Sequence, residues 1–263
     1  MNKLGITLIS IFLVLVAFYF LVMRPEKYQE SDVYDDILQR GYIKVGINVD
    51  AKPFGFIDEK GDVTGYDAEL ARYVARYILG NPDRVQFVSV TPNNRMLKVS
   101  TGEVDIVIAT MTITPQRREI IDFSVPYDAA GQAILVKTSS AITSLTDLNG
   151  ANVGVIWGTT AEKNMQKMVP TANLIGFKSY NNAYVALKNG SINAITSDDT
   201  ILSRFAIEDS TVKMLPKRYS REPYGIGFKK GKCTKKLKAA LDDTINDLKQ
   251  KNVLLRMRKK WLE

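Results

Sequence analysis

The chain of 263 residues contains no histidine and only one cysteine, Cys233. Without histidine it lacks the commonest general base and the commonest metal ligand of proteins. A single thiol cannot form an internal disulfide, and a zinc site needs histidine or paired cysteine ligands. We therefore expect neither a metal ion nor another cofactor, and we assign no catalytic residue.

One long hydrophobic run stands out at residues 4–23, which carry no charge and are mostly apolar. About 20 such residues can span a bilayer as a helix. Large residues occupy positions 18–21, where a secretory signal would have small residues for cleavage. The run predicts a retained membrane anchor, with a cleaved signal peptide as the alternative, so that residues 1–28 are not part of the fold. Either one places the rest of the chain outside the cytoplasm, in the periplasm or at the outer face of the membrane.

The net charge of +8 comes from the C-terminal segment. Residues 229–263 hold twelve Lys or Arg against four Asp or Glu, an excess equal to that of the whole chain. Within this segment apolar residues recur at helical spacing, at Leu237, Leu241, Ile245 and Leu248. We expect an amphipathic helix with a solvated basic face and some attraction to acidic lipid headgroups. A nucleic-acid partner is not expected.

Segments typical of strands and helices alternate along the rest of the chain, which predicts an α/β fold with parallel strands. The second half repeats the order of the first, and STGEVDIVIAT corresponds to KNGSINAITSD. A repeat of about 100 residues predicts two similar lobes. We place the first lobe at residues 29–132 and 225–263 and the second at 133–224. We expect two hinge segments, 131–137 and 222–230, at which the chain crosses from one lobe to the other. We also expect the protein to be a monomer.

Ligands of open α/β sheets bind outside the carboxyl ends of the strands. The residues that follow the predicted strands are small or polar: Asn48, Thr110, Thr112, Gly158, Thr159, Thr160 and Asp198. Two lobes that face each other would bring these residues into one cleft.

The segment ATMTITPQRREIIDFSVPY follows the third predicted strand and is rich in hydrogen-bond donors. It has no histidine, no cysteine and no glycine-rich phosphate loop. The guanidinium of Arg117 can bind a carboxylate through two parallel hydrogen bonds, and the hydroxyls of Thr110 and Thr112 can add neutral ones. The alternative is a surface arginine that pairs with Asp122 or Glu119.

The segment GTTAE begins a helix of the second lobe, with Thr159 or Thr160 as its N-cap. Amide N–H groups at such a helix start attract an anion, although the same residues also fit a helix that is only well capped. Asp198 offers a carboxylate to a ligand ammonium, and its neighbour Asp199 can be the solvated one of the pair. A carboxylate site on one lobe and an ammonium site on the other fit a free α-amino acid, since each buried charge needs a partner.

Several motifs resemble those of the family 3 solute-binding proteins, which serve bacterial ABC importers of polar amino acids. They are GYDAELARYVA, ATMTITPQRREIIDFSVPY, LTDLNGANVGVIWGTT and ITSDD, and they run in family order. The resemblance implies a periplasmic binding protein type II fold, in which two lobes close like a Venus flytrap on one amino acid for delivery to a membrane permease. It also implies that Arg117 binds the α-carboxylate with Thr112 and the amides near Thr160, and that Asp198 binds the α-ammonium.

Departures from the family pattern bear on the ligand side chain. Many members that bind basic amino acids have an acidic residue where Asn48 stands and an aromatic residue where Ala51 stands. Arg95 stands at the start of a predicted helix of the first lobe, which is similar to the arrangement in members that bind glutamate, aspartate or glutamine. We therefore expect one of these ligands, with glutamate and aspartate favoured and glutamine next. The alternative for Arg95 is a surface position beside Asn94. Three aromatic residues are candidates to pack over the ligand, with buried core as the alternative: Phe54, Trp157 and Tyr224.

Two other functions are compatible with such a fold. A dehydratase-like enzyme would need a general acid or base in the cleft, and the histidine-free chain offers no spare candidate. An amino-acid sensor would need a signalling domain, and none occurs before Glu263. The sequence therefore favours a solute receptor over both.

Overall fold

Strands and helices alternate through residues 31–263, which are the part of the chain that the computed structural model describes. The helices are α1 (Val33–Arg40), α2 (Tyr66–Leu79), α3 (Arg95–Ser100), α4 (Pro115–Arg118), α5 (Thr160–Met168), α6 (Tyr180–Asn189), α7 (Asp199–Glu208), α8 (Lys235–Gln250) and α9 (Val253–Leu262). The strands are β1 (Ile43–Ile47), β2 (Asp50–Ala51), β3 (Gly55–Ile57), β4 (Val63–Thr64), β5 (Val85–Ser89), β6 (Ile106–Val107), β7 (Ile121–Phe123), β8 (Asp128–Ala130), β9 (Gln132–Lys137), β10 (Asn152–Ile156), β11 (Asn173–Phe177), β12 (Ala194–Asp198), β13 (Val212–Met214), β14 (Glu222–Tyr224) and β15 (Gly227–Lys229). This order confirms the predicted α/β class.

The first sheet holds five strands in the order β5-β1-β6-β15-β7. Strand β1 pairs in parallel with β5 and β6, whereas β15 runs antiparallel to β6 and β7. The apolar residues Ile43, Val45 and Ile47 alternate along β1 and are fully buried, as expected for a central strand covered by a helix. Helix α2 packs on β1, and helix α8 packs on α2. We call this sheet and its helices the first lobe.

The second sheet repeats this plan with the order β11-β10-β12-β9-β13. Strand β10 pairs in parallel with β11 and β12, and β9 runs antiparallel to β12 and β13. Helices α5, α6 and α7 pack on these strands and form the second lobe with them. In each sheet the fourth strand, β15 in the first and β9 in the second, directly follows a segment that crosses between the lobes. The repeat in the sequence is therefore a repeat of topology, and the two predicted lobes are present.

The two crossing segments pair with each other. Strand β8 is antiparallel to β14, with Asp128 opposite Tyr224. After β8 the chain enters the second sheet as β9, and after β14 it returns to the first sheet as β15. The second crossing lies at the start of the predicted segment 222–230. The first crossing lies just before the predicted segment 131–137, because β9 already belongs to the second sheet. The residue limits assigned to the two lobes stay a prediction.

Helix α2 begins at a glycine that no side chain can replace without strain. Gly65 has a φ of +114°, and a Cβ atom there would lie 2.3 Å from the carbonyl oxygen of Phe54. The helix buries Tyr66, Leu70 and Val74. The glycine therefore fixes the point at which this apolar face enters the first lobe.

The basic C-terminal segment forms two helices instead of the single one that its pattern predicts. The four predicted apolar positions are buried in α8: Leu237, Leu241, Ile245 and Leu248. Asn252 then adopts a left-handed backbone conformation with a φ of +55°, and the chain continues as α9. Asparagine reaches this conformation more readily than most residues, which explains the break at this position.

The predicted membrane segment, residues 4–23, lies outside the described residues. Within residues 31–263 no helix is both long enough and apolar enough to cross a membrane. The retained anchor and the cleaved signal peptide therefore both stay predictions.

Candidate functional site

Arg117 lies where the two lobes meet, and only 8% of the residue is exposed. Its Nη1 atom donates to the carbonyl oxygen of Thr112 in the first lobe at 2.7 Å. Its Nη2 atom donates to the carbonyl oxygen of Gly158 in the second lobe at 3.1 Å. The alternative of a surface arginine paired with Asp122 or Glu119 is therefore wrong. The guanidinium instead connects one lobe to the other.

The surroundings of Arg117 favour a bound anion. Burial, and next the nearby Arg95, lower the pKa of this guanidinium to about 9, while Asp198 and Glu222 oppose the shift. Both acceptors described above are neutral carbonyl oxygens. A carboxylate placed beside Arg117 would therefore gain charge-assisted hydrogen bonds and would stabilise the charged form of the guanidinium.

Two threonine hydroxyls face each other across the lobes close to Arg117. The Oγ1 atoms of Thr112 and Thr160 are 3.5 Å apart. Thr160 is the first residue of α5, and its N–H group, like that of Ala161, has no acceptor within the helix. Such N–H groups attract anions. A guanidinium, two hydroxyls and a helix start thus lie together and can all donate to one carboxylate.

The start of α5 is fixed by a reciprocal cap. The Oγ1 atom of Thr159 accepts the N–H of Glu162 at 3.3 Å, and the Oε2 atom of Glu162 accepts the N–H of Gly158 at 2.8 Å. Thr159 is therefore the N-cap, which confirms one of the two predicted candidates. Because these two amides are occupied, the amides of Thr160 and Ala161 are the ones left for a ligand.

Gly158 approaches the first lobe so closely that a side chain would not fit. It has a φ of +81°, and a Cβ atom there would lie 2.7 Å from the carbonyl oxygen of Pro92 and 2.8 Å from the Cα atom of Asn93. Pro92 and Asn93 precede α3 in the first lobe. The two lobes are therefore closed on each other in this structure.

Asp198 ends strand β12 and is buried close to the same junction. Its Oδ2 atom accepts a hydrogen bond from the phenol of Tyr224. Burial raises the pKa of this carboxyl to about 7, the hydrogen bond from Tyr224 lowers it, and the nearby Glu222 raises it. A positive charge beside Asp198 would keep the carboxylate ionised. Its neighbour Asp199 differs, because its carboxylate already pairs with Arg218 at 2.7 Å.

Arg95 is a buried donor at the start of α3, with 3% of the residue exposed. The alternative of a surface arginine beside Asn94 is therefore wrong. Its Nη1 atom donates to the carbonyl oxygen of Ala109, and its Nε atom has no hydrogen-bond partner among the described residues. Burial lowers the pKa of this guanidinium, whereas Tyr180 and Asp198 raise it. A buried cation with an unused N–H can donate to an oxygen of a ligand.

Asp67, a residue not predicted from the sequence, holds Thr110 in place. Thr110 has a φ of +46°, which is uncommon for a residue other than glycine. The Oδ2 atom of Asp67 accepts the N–H of Thr110 at 3.0 Å, and its Oδ1 atom accepts the hydroxyl of Tyr127 at 2.9 Å. Burial raises the pKa of this carboxyl to about 7. The available signal was the aspartate of GYDAEL, which stands in the first turn of α2.

The remaining predicted residues differ in their exposure. Asn48 is buried, and its Oδ1 atom accepts the backbone N–H two residues further on at 2.9 Å, so that it shapes its own turn. Phe54 and Tyr224 are fully buried, with ring centroids 5.7 Å apart in an edge-on contact. Trp157 is 44% exposed and lies against Gly176, so that it covers strand β11.

Comparisons with known proteins agree with this arrangement. The model of the bacterial extracellular solute-binding proteins, family 3, matches residues 43–263. The glutamine-binding protein of Geobacillus stearothermophilus is 38% identical over 202 residues, which are 76% of this chain and 77% of that protein. The ABC transporter glutamine-binding protein of Bacillus subtilis (strain 168) is 34% identical over 241 residues, which are 90% and 87% of the two chains. The cysteine-binding protein of Campylobacter jejuni superposes with a TM-score of 0.84 at 31% identity and covers 88% of this chain and 93% of its own.

The family match spans both lobes and both crossing segments, from the first strand of the first sheet to the C-terminal helix. The paired crossings, the repeated strand order and the likeness to a solved amino-acid receptor together give the periplasmic binding protein type II fold. The chain belongs to family 3 of the bacterial extracellular solute-binding proteins, the receptors of polar amino-acid ABC transporters.

Proposed function

We propose that this chain is the receptor of a glutamine ABC importer and that it binds one free glutamine between its closed lobes. The observation that carries the proposal is the placement of Arg117 and Asp198 at one buried junction. They carry opposite charges, they come from different lobes, and the contacts described for them are neutral. A free α-amino acid has the complementary pair of charges on one carbon atom.

The α-carboxylate is bound at Arg117, with the hydroxyls of Thr112 and Thr160 and the first amides of α5 as further donors. The α-ammonium is bound at Asp198. Charge-assisted hydrogen bonds contribute about 1.5–3 kcal/mol each, so that a few of them beyond the entropic cost reach micromolar affinity, near −8 kcal/mol. Both lobes contact the ligand only when they are closed, and binding therefore shifts the population toward the closed form.

The ligand side chain is proposed to end at Arg95, whose unused Nε–H favours an oxygen acceptor. A cationic side chain would be repelled there, which disfavours lysine and arginine. The sequence favoured glutamate and aspartate over glutamine, and two observations now support glutamine. The two curated relatives named above, from Geobacillus stearothermophilus and Bacillus subtilis, are glutamine-binding proteins, whereas the solved structure named with them is a cysteine-binding protein. Glutamine also brings no additional charge into a buried site, whereas the desolvation of a second carboxylate would be offset only by its pairing with Arg95.

Delivery to the transmembrane subunits of an ABC permease follows from the same proposal, as does a monomeric receptor outside the cytoplasm. We retain the N-terminal anchor, residues 4–23, as part of it.

A dehydratase-like enzyme is the second candidate, since Asp198 has a pKa of about 7 and could serve as a general acid. In our proposal the ligand ammonium occupies this carboxylate, and a bound amino acid is recovered unchanged after incubation.

The experiment that tests the ligand is calorimetric titration of the protein with each standard amino acid, for the natural sequence and for Arg95→Met. We expect micromolar or tighter binding of glutamine, weakened about 10- to 100-fold in Arg95→Met, because a hydrogen bond from a charged donor contributes about 1.5–3 kcal/mol. The matched control is Lys98→Met on the same helix, which removes a cation that pairs with Glu103 at the surface. Equal glutamine affinities in both variants would remove Arg95 from the site.

Closure itself can be tested at Gly158. In Gly158→Ala the new methyl group would overlap the backbone of Pro92 only when the lobes are closed, and the alanine would also keep a strained φ. We expect glutamine affinity to fall about tenfold or more, as overpacking costs about 1–3 kcal/mol. Gly150→Ala is the control, because Gly150 has a similar φ of +70° with nothing within 4 Å of the added Cβ. The same loss in both variants would assign the effect to backbone strain instead of closure.

A further inference from the structure

Gln132 is fully buried where the first crossing segment enters the second lobe. It is the first residue of β9, and in the antiparallel pairing of β9 with β12 it lies directly opposite Asp198. The backbone N–H of Asp199 donates to the carbonyl oxygen of Gly131 at 2.8 Å, which continues this pairing by one residue. The backbone of Gln132 therefore lies beside the strand end that carries the proposed ammonium site.

The side-chain amide of Gln132 binds α5 and β12 at the same time. Its Nε2 atom donates to the carbonyl oxygen of Ala161 at 3.2 Å and to the hydroxyl oxygen of Thr196 at 2.8 Å. Ala161 is the second residue of α5, and its N–H is one of the two amides proposed to bind the α-carboxylate. Thr196 stands two residues before Asp198 on β12. One amide nitrogen thus connects the carboxylate end of the site to the ammonium end.

The neighbours of this amide fix its orientation. The hydroxyl of Thr196 donates its proton to the carbonyl oxygen of Ala133 at 3.0 Å, so that toward Gln132 it can only accept. The Nδ2 atom of Asn164, on α5, donates to the Oε1 atom of Gln132 at 2.9 Å. The amide nitrogen must therefore face Thr196, and the amide oxygen must face Asn164. Both N–H groups of Gln132 are used within the protein, so that it acts through its neighbours instead of donating to the ligand.

Asn164 connects the same network to the second crossing segment. Its Nδ2 atom also donates to the Oε1 atom of Glu222 on β14 at 3.3 Å, and the hydroxyl of Ser220 donates to the same oxygen at 2.5 Å. The hydroxyl oxygen of Ser220 in turn accepts the backbone N–H of Gln132 at 3.1 Å. The hydrogen bonds therefore form a closed ring that holds Gln132 by its backbone and by its side chain. Networks of buried hydrogen bonds rigidify the elements that they connect.

We propose that Gln132 is a positioning residue that sets the distance between the α5 amides and Asp198. The two charged groups of an α-amino acid are attached to one carbon atom, so that a receptor gains from both only where its two sites have the matching separation. Gln132 fixes that separation before the ligand arrives, which lowers the cost of binding. The inference rests on the proposed function, since it concerns the same bound amino acid. It adds that selection for the α-amino acid group is set inside the second lobe.

The test compares Gln132→Met with the natural sequence by calorimetric titration with glutamine and with two ligands that carry one charged end only. These ligands are 4-carbamoylbutanoic acid and 4-aminobutanamide, measured by displacement of glutamine. Methionine keeps the length of the side chain and removes its hydrogen bonds. We expect glutamine affinity to fall at least about tenfold, through the loss of two or more hydrogen bonds. The affinity of each single-ended ligand should change by less than about threefold, because it needs only one of the two groups.

The comparison among ligands separates positioning from a purely structural role. A general loss of folded protein would lower all three affinities by the same factor. The matched control is Tyr184→Phe, which removes a hydroxyl that bonds to Asp209 elsewhere in the second lobe. This variant should leave all three affinities unchanged.

A second variant keeps the inference falsifiable should Gln132→Met fail to fold. Thr196→Val keeps the shape of its side chain and removes the acceptor of Gln132 on β12. It should also weaken glutamine more than either single-ended ligand. Equal losses for all three ligands, or unchanged glutamine affinity in both variants, would overturn the role of Gln132 alone. Absence of glutamine binding by the natural sequence would instead overturn the proposed function.

Discussion

Replacing Asp198 with asparagine is expected to weaken glutamine binding by about two to four orders of magnitude. The asparagine is close to isosteric and can still accept the hydrogen bond from Tyr224, but it cannot pair with the ligand ammonium. An ion pair broken in a buried site leaves one charge without a partner, at a cost of about 3–5 kcal/mol. Calorimetric titration at neutral pH measures the effect directly.

The fold should survive this substitution. Burial raises the pKa of Asp198 from 3.8 to about 7, so that its stabilising contribution is complete below pH 3.8 and is lost as the pH rises through 7. At pH 8 the ligand-free variant should therefore be at least as stable to urea as the natural sequence. The control for glutamine binding is Asp199→Asn, since the carboxylate of Asp199 already pairs with Arg218. Micromolar glutamine binding by Asp198→Asn would show that the ammonium binds elsewhere.

Replacing Arg117 with methionine should have an effect of similar size on the other end of the ligand. The substitution removes the charge that the α-carboxylate needs and leaves the carbonyl oxygens of Thr112 and Gly158 without their donor. We expect a loss of about two to four orders of magnitude in glutamine affinity, by the same cost of about 3–5 kcal/mol. Arg117→Lys should retain part of the affinity, because an ammonium keeps the charge but not the paired geometry.

The matched control for Arg117 is its neighbour. Arg118 is exposed, and its guanidinium lies over the ring of Phe123 at 5.8 Å, so that Arg118→Met should leave glutamine affinity unchanged. Equal losses in Arg117→Met and Arg118→Met would indicate a general effect of charge. Full affinity in Arg117→Met would place the α-carboxylate away from Arg117 and remove the basis of the proposal.

Much of the fold could be predicted because it depends on local patterns. Alternating apolar residues and turn glycines specify strands and helices, and the repeat in the sequence specifies two sheets of the same order. The rule that ligands bind at carboxyl ends of strands then led to Arg117 and Asp198. Of the apolar run that precedes Ala109, only Ile106–Val107 pairs as a strand, β6, and the chain reaches Thr110 in a left-handed conformation.

The residues that could not be predicted act through contacts between distant parts of the chain. Asp67 accepts a hydrogen bond from Thr110, which is 43 positions away, and Asp50 accepts one from Tyr180, which is 130 positions away. Nothing in the local pattern of either aspartate shows its partner, because each looks like an acidic residue of a turn or of a first helical turn. Arg95 is likewise buried against a distant part of the chain, since its Nη1 atom donates to the carbonyl oxygen of Ala109, which is 14 positions away.

The most direct measurement compares glutamine with two analogues by calorimetric titration. One analogue, 4-carbamoylbutanoic acid, lacks the α-ammonium, and the other, 4-aminobutanamide, lacks the α-carboxylate. We predict one micromolar or tighter site for glutamine and binding at least about a hundredfold weaker for each analogue, because each leaves either Asp198 or Arg117 buried without its partner. An analogue that binds within a factor of about ten of glutamine would contradict the account, since one of the two charges would then contribute less than a single hydrogen bond.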